Sequence, residues 1–223
     1  MKLSWLSSAA LVAVTAAVIR IVFFTPLELR QGAAQKIFYI HVPAAWVAFL
    51  AFGLVAIASA VFLWLRDSRL DRFAESSAEV GVVFTTVVLI TGPIWAKPIW
   101  GTYWAWWDVR LVSTLFLWFI YVAYLVLRGA VESPALRARY SAVLGILGAF
   151  LIPFIHLSVY LFTTLHPQPI IGKASKPSLP AEMLWTFFLA FGAFTLLYAA
   201  FVVSRYRYAV ERDAIAARAD LHA

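Results

Sequence analysis

The chain of 223 residues contains no cysteine. Disulfides, thiolate metal sites and redox dithiols are therefore excluded. Charge is scarce as well: 13% of residues are Asp, Glu, Lys or Arg, against about 25% in an ordinary soluble domain. Apolar side chains take their place, at 64% of the chain, with a mean hydropathy of +0.87. This is the composition of an integral membrane protein. The net charge of +7 does not point to nucleic acid, because the basic residues fall in short loops between apolar runs and form no contiguous patch. In a membrane protein such an excess mostly sets orientation.

A bilayer core about 30 Å thick needs roughly 20 apolar residues per helix. Six stretches qualify, at about 5–24, 44–65, 79–97, 111–128, 140–162 and 182–204. They predict an all-α, polytopic membrane protein with six transmembrane helices. No lengthy soluble stretch separates them, so residues 1–223 read as one domain. The charged, alanine-rich tail 205–223 reads as a short surface helix. Met1-Lys2 followed by Leu3–Ile19 also has the form of a secretory signal peptide. No clean cleavage site precedes a soluble stretch, which favours a retained span.

Lys and Arg fix the expected orientation. One side holds Lys2, Arg66, Arg69, Arg72, Arg128, Arg137, Arg139, Arg205, Arg207, Arg212 and Arg218. The other holds Arg30, Lys36, Lys97, Arg110, Lys173 and Lys176, with Arg20 near the outer end of the first span. The richer side is expected in the cytoplasm, so both termini are cytoplasmic. The external loops are then about 25–43, 98–110 and 163–181.

The second external loop is the most unusual stretch. From Trp100 to Arg110 it packs Trp100, Tyr103, Trp104, Trp106, Trp107, Asp108 and Arg110 between two apolar runs. Trp and Tyr also anchor helix ends at headgroups, and Trp46, Trp64, Trp95 and Trp118 are explained as belt or core residues. An ordinary belt scatters one or two per helix end, whereas here they crowd one loop. Aromatic walls stack on a flat, greasy ligand, and Arg110 and Lys97 suit its carboxylates. Haem is a ligand of that kind. Asp108 is expected to orient Arg110, to cap the fourth helix, or to accept an indole N–H.

Four histidines are present. His222 lies in the tail and takes no role. His41 opens His41-Val42-Pro43-Ala44-Ala45-Trp46; Pro43 suits a first helical turn, which places His41 at the outer mouth of the second span. His166 follows Thr163-Thr164-Leu165 and precedes Pro167, just beyond the fifth span. Two imidazoles at similar depth on separate helices can hold one iron from opposite faces, or each can anchor a helix end. His156 lies within the fifth span after Pro153. It either satisfies local polar groups freed by the proline or supports a ligand from behind.

These residues resemble a known family. Lys97-Pro98-Ile99-Trp100-Gly101-Thr102 through Trp107-Asp108-Val109-Arg110-Leu111 is similar to the tryptophan-rich signature of the haem-handling superfamily, and within it to the CcmC family of cytochrome c maturation. Tyr39 to Trp46 resembles that family's first histidine motif, and Pro153 to Val159 with Thr164-Leu165-His166 its second. The family pattern reads WGTWWxWDxRL. Here Tyr103 replaces one tryptophan and one extra residue precedes Asp108, so either Trp106 or Trp107 takes the last aromatic place. The length fits this family better than the larger haem lyases.

The resemblance implies a haem-transfer subunit on the outer face of the cytoplasmic membrane, with no bond-making residue of its own. His41 and His166 would be axial ligands of haem b (protoporphyrin IX iron). The loop from Trp100 to Arg110 would be haem platform and docking surface. The implied partners are a CcmE-like chaperone that holds haem through a histidine, the ATP-binding cassette subunits CcmA and CcmB, and the small subunit CcmD. Two rivals are weaker. A cytochrome b-like electron-transfer subunit buries histidine pairs near each leaflet, and no histidine lies in the inner half of a predicted span. A solute permease shows paired broken helices or midplane charges, and the sequence offers no such pair.

Overall fold

A backbone in lipid must satisfy its own N–H and C=O groups, so apolar runs of this length become helices. A computed structural model describes residues 4–168, 170 and 178–220, and among them it contains helices and no strand. Lys2, Lys173, Lys176 and His222 lie outside the described residues. Helix α1 (Trp5–Ile19) runs into a π-helical turn at Arg20–Phe24. A 3-10 turn at Ala33–Ile37 leads into α2 (Phe38–Leu65), followed by α3 (Ser68–Trp100) and α4 (Val109–Ala130). Then come α5 (Pro134–Ala149), α6 (Leu151–Leu161) and α7 (Ala181–Asp220). Six helical segments among the described residues are long and apolar enough to cross a membrane, with α5 and α6 forming one broken span.

Three boundaries differ from the sequence expectation for physical reasons. Helix α3 starts at Ser68 rather than near 79, because the Asp67 carboxylate caps it by accepting the Arg69 N–H at 2.9 Å. The tail is no separate surface helix: it continues α7 to Asp220. The fifth span breaks at Phe150, whose N–H donates to the Leu147 carbonyl at 3.3 Å in a tighter turn. Pro153 follows and supplies no N–H. The Tyr121 hydroxyl donates to the Gly145 carbonyl at 2.8 Å just below the break. A Cβ at Gly148 would stand 3.0 Å from the Tyr121 ring, so this approach needs glycine.

Helices in lipid gain little from burying apolar surface against each other, so close packing of small residues has to hold them. Ala44, Ala48, Ala51 and Ala58 of α2 are buried together with Ala74 and Ala78 of α3. A Cβ at Gly81 would fall 2.5 Å from the Phe52 ring. Phe52 stacks on Tyr121 of α4 with centroids 3.6 Å apart. Helices α4, α5 and α7 pack against the α2–α3 pair, with α6 against α4 and α1 against α7. The alternating course of the chain brings the start of α2, the end of α3, the start of α4 and the end of α6 to one end of the bundle.

Candidate functional site

Asp108 joins two of the segments at that end, and it is fully buried. Its Oδ1 accepts the N–H groups of Arg110 at 3.0 Å and Leu111 at 3.2 Å, capping α4 where the helix dipole favours a carboxylate. Its Oδ2 accepts the Thr164 hydroxyl at 2.6 Å and the Leu165 N–H at 2.8 Å. The Thr164 hydroxyl oxygen in turn accepts the His166 N–H at 3.1 Å. One carboxylate therefore ties the tryptophan-rich link to the segment carrying His166. Of the roles open to Asp108 in the sequence, capping is present. With both oxygens engaged inside the protein, Asp108 braces the loop and is not displayed on its surface. The tie to Thr164 has no signature in sequence spacing.

The hydrogen bonds also set the tautomer of each imidazole. His166 Nδ1 lies 3.0 Å from the Pro167 carbonyl. A carbonyl only accepts, so Nδ1 carries the proton and Nε2 keeps its lone pair. His41 Nδ1 lies 2.9 Å from Thr91 Oγ1. The Thr91 hydroxyl already donates to the Val87 carbonyl at 2.7 Å, so it accepts from His41. Again Nε2 is left with the lone pair, and neither Nε2 has a hydrogen-bond partner among the described residues. Thr91 thus orients the His41 ring, a contact that sequence reading missed. Burial, then the Arg110 charge, pushes the His166 pKa down to about 3, with a further push from His41 and an opposing pull from the Pro167 carbonyl. His166 is thus neutral at physiological pH, and Arg110, His41 and His166 lie close enough for their charges to interact.

Pro43 is not in the first turn of its helix. Helix α2 begins at Phe38, so His41 stands in the first turn and Pro43 lies inside, where it removes an N–H that would bond the Tyr39 carbonyl. The His41 ring rests over α3, and a Cβ added at Gly92 would sit 3.4 Å from its Cε1.

Arg110 makes no ion pair among the described residues, with Asp108 or any other carboxylate, and its Nη1 is buried without a partner. The Trp104 indole N–H is likewise buried and unpartnered. Such groups are rare in folded proteins, and a ligand is one thing that satisfies them. The first residues of the link fix how it leaves α3. Gly101 ends α3 at φ 78°, a left-handed conformation that suits glycine. Lys97 donates to the Gly101 carbonyl at 3.0 Å and lies 5.2 Å from the Tyr103 ring centroid. Trp100 packs edge-on against Trp95, whose indole N–H donates to Gln31 at 3.0 Å. Trp104 meets Trp106 edge-on at 5.8 Å. Tyr103, Trp106 and Trp107 remain exposed, at 59%, 75% and 59%. Three aromatic faces are thus displayed and two are braced behind them.

The structure does not bring His156 to this site. Helix α6 turns Ile155, Ser158 and Val159 inward, which leaves His156 exposed, and it has no hydrogen bond among the described residues. The support expected from it, whether to a ligand or to polar groups freed by Pro153, has no contact to act through.

The family model for heme exporter protein C, CcmC, matches residues 1–220. The chain belongs to the CcmC family. Among its relatives, heme exporter protein C of Bradyrhizobium diazoefficiens is 37% identical over 196 residues, covering 88% of this chain and 74% of that protein. Heme exporter protein C of Escherichia coli K12 is 33% identical over 204 residues, covering 91% of this chain and 81% of that one. A putative cytochrome c biosynthesis ccmC-like mitochondrial protein of Marchantia polymorpha is 36% identical over 182 residues, covering 82% and 76%. The CcmC match spans all six membrane segments as well as the loop and both histidine motifs.

Proposed function

We propose that this chain binds haem at the histidine end of the bundle and hands it to a partner during cytochrome c maturation. Membership of the CcmC family supports haem handling by a transfer component rather than an enzyme. The observation that carries the site is the pair of Nε2 lone pairs without a hydrogen-bond partner, close to an unpaired guanidinium. Among the described residues no three His, Asp or Glu side chains cluster to hold a bare ion. An iron porphyrin needs only two axial donors from the protein, and His41 and His166 supply two. Its propionates suit Arg110, whose buried nitrogen lacks an acceptor, with Lys97 nearer the loop surface. Tyr103, Trp106 and Trp107 offer faces for stacking. Bound haem supplies the iron that is delivered. The residues of this chain bind it, orient it and leave an edge open.

The same reading places this end on the outer, periplasmic face of the cytoplasmic membrane, because the opposite end carries the Arg excess. A CcmE-like haem chaperone would dock on the exposed aromatics, and CcmA, CcmB and CcmD would complete an ATP-binding cassette assembly. The cargo would be haem b. The test is haem content by absorption of detergent-purified protein. Replacing both His41 and His166 by Ala abolishes the haem-bound absorbance; retention of a full complement rejects the assignment.

A further inference from the structure

The end of the bundle opposite the histidines carries a second, unassigned feature. There α3 presents Asp71, Glu75 and Glu79 on successive turns. Arg128 of α4 bonds Asp71 at 2.7 Å and Glu75 at 3.1 Å. Arg212 of α7 bonds Glu75 at 2.9 Å, and Arg205 of α7 pairs with Glu79. Arginines of α4 and α7 thus converge on the same carboxylate of α3, Glu75, and a cleft lies between the three helices. A cavity of about 310 Å³ opens in it, lined by Glu75, Glu79, Arg128, Arg137, Arg212 and Leu125. A second recess of about 300 Å³ adjoins it through Glu79 and is lined by Val80, Val83, Phe201 and Ser204.

Two properties of this cleft point to its occupant. The first is charge. Every carboxylate in it is already paired, and Arg137 of α5 has no ion pair among the described residues, so the cavity has one cation left over. Arg128 is 6% exposed, and its Nε also lacks a partner. The second is polarity along the bundle. From Glu75 to Val83 on α3, and from Arg212 to Phe201 on α7, the lining passes from charged to apolar toward the middle of the spans. A free phosphate would use only the charged cavity. A partner helix, about 10–12 Å across, is too thick for recesses of this size.

We propose that the cleft binds one anionic phospholipid, with its headgroup phosphate on Arg137 and an acyl chain against Val83 and Phe201. Basic pockets between membrane helices recognise anionic headgroups in this way. The inference is independent of haem and rests on a different end of the molecule.

The test is native mass spectrometry of the full chain in mild detergent, titrated with phosphatidylglycerol, phosphatidylcholine or inorganic phosphate. The expected result is a single bound phosphatidylglycerol, favoured over phosphatidylcholine by about fivefold and not displaced by millimolar phosphate. Arg137→Gln removes that preference, and Val83→Trp weakens both lipids, with circular dichroism and melting unchanged in each variant. The wild-type preference needs no variant, so poor folding of either one leaves the proposal open to refutation. Equal binding of the two lipids, displacement by inorganic phosphate, an unchanged preference in Arg137→Gln, or a copurifying protein that blocks both lipids would each overturn it.

Discussion

The two ends of the bundle solve the problem of polar groups in opposite ways. At the arginine-rich end, Asp71, Glu75, Glu79 and Asp213 each face an arginine, and the resulting network ties α3, α4 and α7 together. At the histidine end, Arg110 has no carboxylate partner, the Trp104 indole N–H has no acceptor, and both imidazoles keep an unbonded Nε2. The first end mainly satisfies itself and holds the helices in register. The second leaves donors and lone pairs without partners among the described residues, as the proposed haem site requires. Buried donors without acceptors occur at both ends, at Arg72 and Arg128 as at Arg110 and Trp104. What sets the histidine end apart is that its unpaired guanidinium accompanies two imidazoles with free Nε2 lone pairs, which suits the proposed ligand site.

The comparison can be broken from either side. The largest effect belongs to the paired end: Arg128→Ala leaves Asp71 and Glu75 short of a buried partner and costs about 3–5 kcal/mol, read as a lower unfolding midpoint. Haem affinity of the protein that remains folded is unchanged; a parallel loss of affinity would mean the two ends are not separable. Next is Asp108→Asn, which keeps a capping oxygen but turns an amide N–H toward the donors of Thr164 and Leu165. Haem affinity falls by about 10- to 100-fold, as for other residues that orient a ligand, with about 1 kcal/mol lost in stability. Thr91→Val removes the acceptor for His41 Nδ1–H and lowers haem affinity by about tenfold, with little change in melting. An unchanged dissociation constant would show that the Thr91 bond does not set the tautomer.

The smallest effect is the displacement along the pH axis that removing Arg110 produces. The His166 pKa of about 3 in the fold lies below the usual value of 6.5. The unfolded chain therefore takes up a proton before the folded one does, and folding loses stability as pH falls from about 6.5 toward 3. Arg110→Gln removes a neighbouring cation, so His166 protonates at higher pH. Acid release of ferric haem, followed by its absorbance, moves upward by a fraction of a pH unit. A downward shift would contradict the placement of Arg110 beside His166.

What the sequence revealed and what it hid divide along physical lines. Hydropathy located all six spans, because the length of an apolar run is fixed by bilayer thickness. The cap of α4 was legible because Asp108 immediately precedes a helical run. The extension of α3 back to Ser68 was not, since Asp71, Glu75 and Glu79 look like loop charges until Arg128, Arg205 and Arg212 arrive from other helices. His156 drew notice as an ionisable residue within a span, but its face of α6 depends on which neighbours pack there. Thr91 was invisible for the same reason, and so was the tie of Thr164 to Asp108, although Thr164 itself stands in the second histidine motif. Each acts on a residue distant in the chain, and nothing in local spacing announces a hydroxyl that fixes a tautomer or relays a carboxylate.

We propose that His41 and His166 together present two Nε2 donors to one iron. The most direct measurement is the electron paramagnetic resonance spectrum of the ferric haem-loaded protein and its single-histidine variants. The wild type is expected to give a six-coordinate, low-spin bis-imidazole signal, and both His41→Ala and His166→Ala to convert to high-spin haem. Persistence of the low-spin bis-imidazole signal in either variant would contradict it.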